Sequence, residues 1–212
     1  MLSVITGNIS KRKKEGISMS VTSFNEEECK YIKTATHNYI SKDAIIDNPK
    51  VVELKGKSII MDGCRLRGDM MIPTEKQKQQ QQQQRLGISI GRYCWISKDC
   101  IIRPSSLLDV MIPCRIQNYV QIGMNCIIES SWIGNCTIIG HNVILGKRSI
   151  IKDNVVIRSN TVIPPDMVIP PFSYVQGCPA KISTTQTLPE SIALECMEQS
   201  ITQFQSFSQQ QQ

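Results

Sequence analysis

Residues 133–175 read IGNCTIIGHNVILGKRSIIKDNVVIRSNTVIPPDMVIPPFSYV, and the pattern of this stretch repeats every six residues. Counting by six from its first residue gives a branched aliphatic side chain eight times in a row: Ile133, Ile139, Leu145, Ile151, Ile157, Ile163, Ile169 and Val175. The fifth place of each hexad is mostly small or β-branched, and the sixth is almost always aliphatic. Strands of an ordinary sandwich would instead alternate with a period of two, so the longer period decides the fold.

A period of six is typical of a chain that makes one short strand and one corner per hexad. Three hexads close a triangular coil of about 18 residues, and side chains one coil apart stack at the roughly 4.8 Å spacing of neighbouring strands. We therefore predict an all-β chain, a left-handed parallel β-helix (hexapeptide-repeat solenoid) with a C-terminal α-helix. Ile133 should lie under Ile151, and Ile151 under Ile169. Glycine in the second place, as at Gly140, is expected to supply unusual backbone angles at a corner.

The segment boundaries follow from where this period holds and where it breaks. A spacing of five between Ile128 and Ile133 predicts one shortened corner near residues 130–131. Apolar spacing after Pro189 favours a helix. The predicted segments are a disordered basic tail at 1–28, the β-helix at 29–183 with loop insertions at 73–87 (polyglutamine) and 103–115, a C-terminal helix at 188–206, and a disordered tail at 207–212.

Composition narrows the class of protein. The chain has 212 residues, 41% of them hydrophobic, and a formal net charge of +6, which suits one domain. No apolar run predicts a signal peptide or a membrane span, and aromatic and basic residues do not interleave as a nucleic-acid platform requires. We expect a cytoplasmic protein without a nucleic-acid partner. The nine cysteines lack a C-x-x-C pair, and Cys94, Cys100 and Cys126 occupy the small inward column, so they are predicted to be reduced core residues.

Histidine is the residue on which catalysis by hexapeptide β-helices depends. Acyltransferases of this fold use it as a general base, and carbonic-anhydrase-like members bind zinc through three imidazoles. This chain has two histidines. His37 precedes the repeat, and His141, in the third place of its hexad, is expected to point to solvent. We predict no catalytic, cofactor-binding or metal-binding residues, with a hexapeptide acyltransferase and a gamma-carbonic-anhydrase-like protein as the alternatives.

Three stretches resemble one family. GKSIIMDGCRLRGDM (56–70), SIGRYCWISKDCIIRP (89–104) and NTVIPPDMVIPPFSYVQGCPAK (160–181) are similar to the dynactin subunit 5 family, within the gamma-carbonic-anhydrase-like superfamily. The resemblance runs from about Tyr31 to Phe204. It implies a non-catalytic structural subunit of the dynactin pointed-end complex, which supports dynein-driven microtubule transport and engages cargo adaptors.

The resemblance also implies partners and a location. The partners are dynactin subunit 6, a sister β-helix, the dynactin p62 subunit, the pointed-end actin-related protein and dynein cargo adaptors, with no direct membrane insertion. The location is the cytoplasm, on the microtubule cytoskeleton. An end coil with an apolar cross-section is a suitable surface for the sister β-helix.

Two groups of residues are candidates for roles in structure and binding. The superfamily motif Arg67, Gly68 and Asp69 is expected to be structural, as a buried or edge ion pair between coils. Outward basic side chains are predicted to form one patch for an acidic coiled-coil adaptor, with a solvated face as the alternative: Lys147, Arg148, Lys152 and Arg158.

Overall fold

The computed structural model describes residues 30–70, 86–108 and 110–211. Within them the chain winds around three sheets in turn. The first face contains β1 (Tyr31–Lys33), β2 (Tyr39–Ser41), β5 (Ile59–Ile60), β8 (Trp95–Ile96), β13 (Gln121–Ile122), β16 (Ile138–Ile139), β19 (Val156–Ile157), β22 (Ser173–Gln176) and β23 (Lys181–Thr187). The second face contains β3 (Ile45–Asp47), β6 (Arg65–Arg67), β9 (Ile101–Ile102), β14 (Ile127–Ile128), β17 (Ile144–Leu145) and β20 (Val162–Ile163).

The third face contains β4 (Val52–Gly56), β7 (Ile88–Arg92), β12 (Cys114–Ile116), β15 (Trp132–Ile133), β18 (Ile150–Ile151) and β21 (Val168–Ile169). A separate hairpin joins β10 (Ser105–Leu107) to β11 (Val110–Ile112). Short 3-10 turns cover Pro49–Val51 and Gly68–Met70, and one α-helix, α1, covers Ile192–Gln210.

Stacking follows the predicted columns. Ile133 pairs with Ile151, and Ile151 pairs with Ile169, on parallel strands of the third face. The described first-place side chains between Ile60 and Val175 are at most 2% exposed and form one continuous core. The predicted left-handed parallel β-helix is confirmed. The shortened corner is also present, because partners across it are 17 residues apart, as at Ile127 and Ile144.

The corners differ from the prediction in one respect. Left-handed backbone angles occur in the fourth place of the hexad, for example at Asn142 (φ 56°) and Asn160 (φ 62°). The second-place Gly140 has no such angle, but a Cβ there would lie 2.5 Å from the Ser159 backbone nitrogen. The expectation that second-place glycines supply unusual angles is therefore wrong. They are required because successive coils approach too closely for a side chain.

Both interruptions leave the prism between the second and third faces. The predicted excursion at 103–115 contains the β10–β11 hairpin, so it is more ordered than a plain loop. The tail predicted at 1–28 lies outside the described residues. Of the polyglutamine loop predicted at 73–87, only residues 86 and 87 are described. Across the first interruption β7 still pairs in parallel with β4, with Leu54 opposite Ile90. The stack therefore continues in register past the insertion.

Helix α1 packs along the outside of the first face. Its last turns bring Phe207 within 4.9 Å of the Tyr31 ring centroid, and Phe204 within 5.7 Å of that of Tyr93. The Tyr39 hydroxyl lies 2.8 Å from the Ser208 hydroxyl. The prediction of a disordered tail from residue 207 is therefore wrong over residues 207–210, because aromatic packing against the first coils extends the helix.

Candidate functional site

His141 lies at the corner between the first and second faces, where its side chain caps backbone. Its Nδ1 accepts a hydrogen bond from the Met124 backbone N–H at 2.9 Å, and its own backbone N–H donates to the Ser159 hydroxyl oxygen at 2.9 Å. Met124, His141 and Ser159 are the third-place residues of three successive coils. The side chains of His141 and Ser159 therefore each satisfy the third-place amide of the coil before them.

The corner between the third and first faces has the same arrangement. The amides of Asn118 and Asn135 donate to the side chains of Asn135 and Asp153, respectively, at 3.2 and 2.6 Å. The sequence carries a signal for this ladder, since short polar acceptors recur in the third place. The prediction had considered only the outward direction of His141. Its exposure agrees with the prediction, but its acceptor nitrogen is already in use.

This hydrogen bond fixes the chemistry of the imidazole. A neutral ring that accepts through Nδ1 carries its proton on Nε2. A general base needs an unprotonated nitrogen facing the acceptor, and here the unprotonated nitrogen faces the Met124 amide. His37 lies in the turn between β1 and β2, where its backbone N–H donates to the Thr34 carbonyl at 2.9 Å.

The inward cysteines form a column of buried thiols at the same corner as His141. Cys64, Cys100 and Cys126 donate to carbonyl groups of the next coil at 2.9, 3.0 and 3.1 Å. Cys94 lies at the corner between the third and first faces, and Cys114 begins β12. Burial raises the pKa of both thiols to about 12, so both are protonated at neutral pH. The thiols act as small core residues, as predicted for Cys94, Cys100 and Cys126. Their hydrogen bonds to carbonyl groups were not predicted. In the described ranges no three histidine, cysteine or acidic side chains are arranged to hold a metal ion.

The Arg-Gly-Asp motif forms its ion pair at the edge of the prism. Arg67 donates from Nε and Nη2 to the Asp69 carboxylate at 2.8 and 2.9 Å, and its Nε lies 3.5 Å from Asp47 of the preceding coil. Gly68 packs against that coil, since a Cβ there would lie 2.5 Å from the Asp47 carbonyl oxygen. The main pair therefore lies within the motif, and the longer contact joins two coils.

The four candidate adaptor-binding residues do not lie together. Lys147 and Arg148 lie between the second and third faces, Lys152 between the third and first, and Arg158 between the first and second. Arg148 is also neutralised, because it donates twice to Asp166 at 2.6 and 2.5 Å. The prediction of one basic patch is wrong in its geometry. A role for the individual residues in adaptor binding stays a prediction.

Apolar side chains are exposed at the tip of the β10–β11 hairpin. Leu108, in the turn, is 93% exposed. Arg148 holds the hairpin by donating from Nη1 to the Ser106 carbonyl at 2.8 Å. Ile112 and Pro113, at the end of the hairpin, border a groove of about 470 Å³ on the third face, whose other wall includes Trp132. The loop insertion predicted at 103–115 therefore contains a hairpin with exposed apolar side chains.

Among the residues that the structure describes, no helix is long and apolar enough to cross a bilayer.

The fold and these corners define the class of protein, a hexapeptide-repeat β-helix. A hexapeptide transferase family protein of Anaplasma phagocytophilum is similar to it over 79% of this chain and 89% of that chain, with 16% identity and a TM-score of 0.55. A variant of AntD, an N-acyltransferase from Bacillus cereus solved with dTDP and coenzyme A, matches 78% of this chain and 88% of that chain, with 16% identity and a TM-score of 0.59. At this identity the likeness concerns the fold alone.

Sequence similarity gives the family. The chain belongs to the dynactin subunit 5 family, whose sequence model matches residues 19–212. A relative described as dynactin subunit 5 of Dictyostelium discoideum is 35% identical over 113 residues, which are 51% of this chain and 50% of that protein. The chain thus spans about half the length of the curated relative it matches. The resemblance inferred from the three sequence stretches is confirmed at the level of the family.

Proposed function

We propose that this protein is a non-catalytic structural subunit of the dynactin pointed-end complex, acting in the cytoplasm on microtubule-associated dynein. The observation that carries the proposal is the family match over residues 19–212. In this role the chain supports dynein-driven transport and contacts cargo adaptors. Its proposed neighbours are dynactin subunit 6, the p62 subunit and the pointed-end actin-related protein.

The corner chemistry supports a structural role over an acyltransferase. The one histidine within the repeat uses Nδ1 to accept from the Met124 amide, which leaves Nε2 protonated and unable to take a proton from a substrate. If the chain were an acyltransferase, purified protein would transfer an acetyl group from acetyl-coenzyme A, and His141→Asn would abolish the transfer. We expect no transfer above a protein-free control. Turnover that His141→Asn removes would overturn the non-catalytic role.

The N-terminal end of the prism is the surface that we propose for the sister β-helix. The last strands of the second and third faces there are β3 and β4, and on the first face β1 pairs antiparallel with β2. First-coil residues Ile46 and Leu54 are only partly buried although they pack on the core. At the opposite end, Ala180 and Ile182 pack on the core, and β23 turns back antiparallel to β22. Both ends thus carry one antiparallel strand on the first face. Among the described residues, more partly buried apolar side chains pack on the core at the N-terminal end (Ile40, Ala44, Ile46, Val52 and Leu54) than at the C-terminal end (Met167, Ala180 and Ile182), so the N-terminal end offers a partner the larger apolar surface.

A pull-down from cytosol tests this assignment. Tagged full-length chain is expected to recover dynactin subunit 6, p62 and the pointed-end actin-related protein. Ile46→Asp should lose dynactin subunit 6, whereas Ile45→Asp, one residue away but pointing outward and 53% exposed, should keep it. Circular dichroism checks that both variants fold. Recovery of none of the three proteins by the unmodified chain would refute the proposed function.

Adaptor binding is tested separately, corner by corner. Lys147→Glu, Arg148→Glu, Lys152→Glu and Arg158→Glu should be compared one at a time for recovery of a cargo adaptor with the assembled complex. A basic side chain that contacts an acidic adaptor segment should lower recovery when reversed, without loss of p62. If all four variants recover the adaptor as well as the unmodified chain does, these residues are not contacts.

A further inference from the structure

The third-place ladder ends at the last coil of the corner between the first and second faces. The position that should cap the Ser159 backbone N–H is occupied by Gly177, which has no side chain. No hydrogen bond of the Ser159 backbone N–H occurs within the described ranges. The third-place N–H donor, which a side chain satisfies at Met124 and at His141, is therefore left open at Ser159.

An asparagine ladder at the same corner ends in the same way. The side-chain amide of Asn125 donates to Asn142, and that of Asn142 donates to Asn160 at 3.0 Å. In the next coil the corresponding place is Cys178 instead of asparagine. The Asn160 amide nitrogen thus has two N–H donors and no acceptor in the described part of the chain. Two interrupted ladders leave three N–H groups at one place.

A pocket of about 700 Å³ lies at this place, and it is positively charged. Arg158 and Lys181 line it together with Ser159 and Asn160, and its lining includes no acidic side chain. Both cations are exposed, and neither belongs to an ion pair between described residues. Their charge is therefore available to a ligand.

We propose that this corner pocket binds a phosphate group. A guanidinium, an ammonium and N–H donors of residues that line the same pocket form the set that a multiply charged tetrahedral anion requires. The pocket volume leaves room for an organic group attached to the phosphate. The proposal does not need the proposed function, since the pocket lies at the C-terminal end, away from the surface assigned to the sister β-helix. The two share only Arg158, which is also a candidate adaptor contact.

Titration of isotope-labelled full-length protein with inorganic phosphate tests the site. Amide signals of Ser159 and Gly177 and the side-chain signal of Asn160 should shift and saturate together. Arg158→Gln combined with Lys181→Gln should weaken binding on the order of tenfold or more, as expected when charge-assisted hydrogen bonds are lost. Asn160→Asp should do the same, because an aspartate still accepts from Asn142 but repels the anion.

Lys42→Gln is the matched control. Lys42 is an exposed lysine at the same corner but at the opposite end of the prism, so binding should change less than twofold. Shifts that do not saturate, or an equal loss of binding in Lys42→Gln, would overturn the proposal. Coenzyme A, added in place of phosphate, distinguishes the source of the group. Binding at least tenfold tighter than that of phosphate indicates a phosphorylated nucleotide, and weaker or equal binding indicates phosphate itself.

The exposed Cys178 thiol on the pocket wall offers a measurement that needs no ligand. A positive pocket should raise the rate of alkylation by anionic iodoacetate relative to that by neutral iodoacetamide. The ratio of the two rates, followed by mass spectrometry at Cys178, should fall in the Arg158→Gln, Lys181→Gln variant and stay unchanged in Lys42→Gln. An unchanged ratio in the double variant would contradict the positive pocket.

Discussion

Phe207 packs the end of helix α1 against the β-helix. We expect its substitution by alanine to undock that helix. The ring is 8% exposed and meets Tyr31, Tyr39 and Trp95 at centroid distances of 4.9, 5.5 and 5.7 Å. Substitution of a buried phenylalanine by alanine costs about 3–5 kcal/mol. Because Phe207 lies in the last turns of a terminal helix, we expect Phe207→Ala to cost about 3 kcal/mol, the lower limit of that range.

The cost should appear as local undocking of the helix before global unfolding. A loss of about 3 kcal/mol raises the undocked population roughly 150-fold, because each 1.4 kcal/mol is about a factor of ten. Hydrogen exchange of the α1 backbone amides should accelerate by a similar factor while the β16 amides keep their rates. The emission of Trp95 should shift to the red as its aromatic neighbour is lost.

Leu194→Ala is the control within the same helix. Leu194 is 65% exposed, so its truncation should change exchange by no more than about threefold. If Phe207→Ala accelerates exchange no more than Leu194→Ala does, the aromatic cluster does not hold the helix and the reasoning fails.

Three further perturbations test the corners. Gly140→Ala places a Cβ 2.5 Å from backbone of the next coil and should lower the free energy of unfolding by about 1–3 kcal/mol through overpacking, measured by urea denaturation. His141→Ala removes the acceptor of the Met124 backbone amide and should lower the free energy of unfolding by about 1 kcal/mol. His141→Asn should retain most of that free energy. The Lys30 ammonium, and then the Ser41 hydroxyl, hold the pKa of Asp62 near 2. Asp62 therefore stabilises the fold above pH 4, and this contribution of up to about 1 kcal/mol is lost as the pH falls towards 2.

Each of these has an outcome that would contradict it. Ser97→Ala, in an equivalent second place that already carries a Cβ, should leave stability almost unchanged, and equal effects of Ser97→Ala and Gly140→Ala would refute the close-approach argument. An asparagine at position 141 that destabilises as much as alanine would show that the acceptor is unimportant. Asp62→Asn should lower stability at pH 7 and match the unmodified chain near pH 2, so a difference independent of pH would exclude the ion pair.

Much of the fold could be predicted because the β-helix is periodic. Pairs such as Ile151 and Ile169 are determined by counting alone, and their strand pairing agrees. The same period also shows why the four basic residues cannot form one patch. Residues six apart, such as Lys152 and Arg158, lie at successive corners. The asparagines at Asn142 and Asn160 were a further signal, because asparagine tolerates left-handed backbone better than most residues.

Other features depend on contacts that no local pattern contains. The last turn of α1 is held by Tyr31 and Tyr39, more than 160 residues earlier in the chain. The role of His141 depends on Met124, one coil away, whose amide a linear reading does not place. The hairpin required the pairing of Ser105 with Ile112, which an excursion of mixed apolar residues does not specify.

The exit of both interruptions from one edge has a consequence for how this chain can vary. Strands β4, β7 and β12 pair across those exits with an unbroken register. The pairing of these strands therefore does not depend on how many residues are inserted there. For a flexible loop, each doubling of length costs only about 0.6 kcal/mol. An insertion at either exit can therefore be lengthened or shortened with little change in melting temperature.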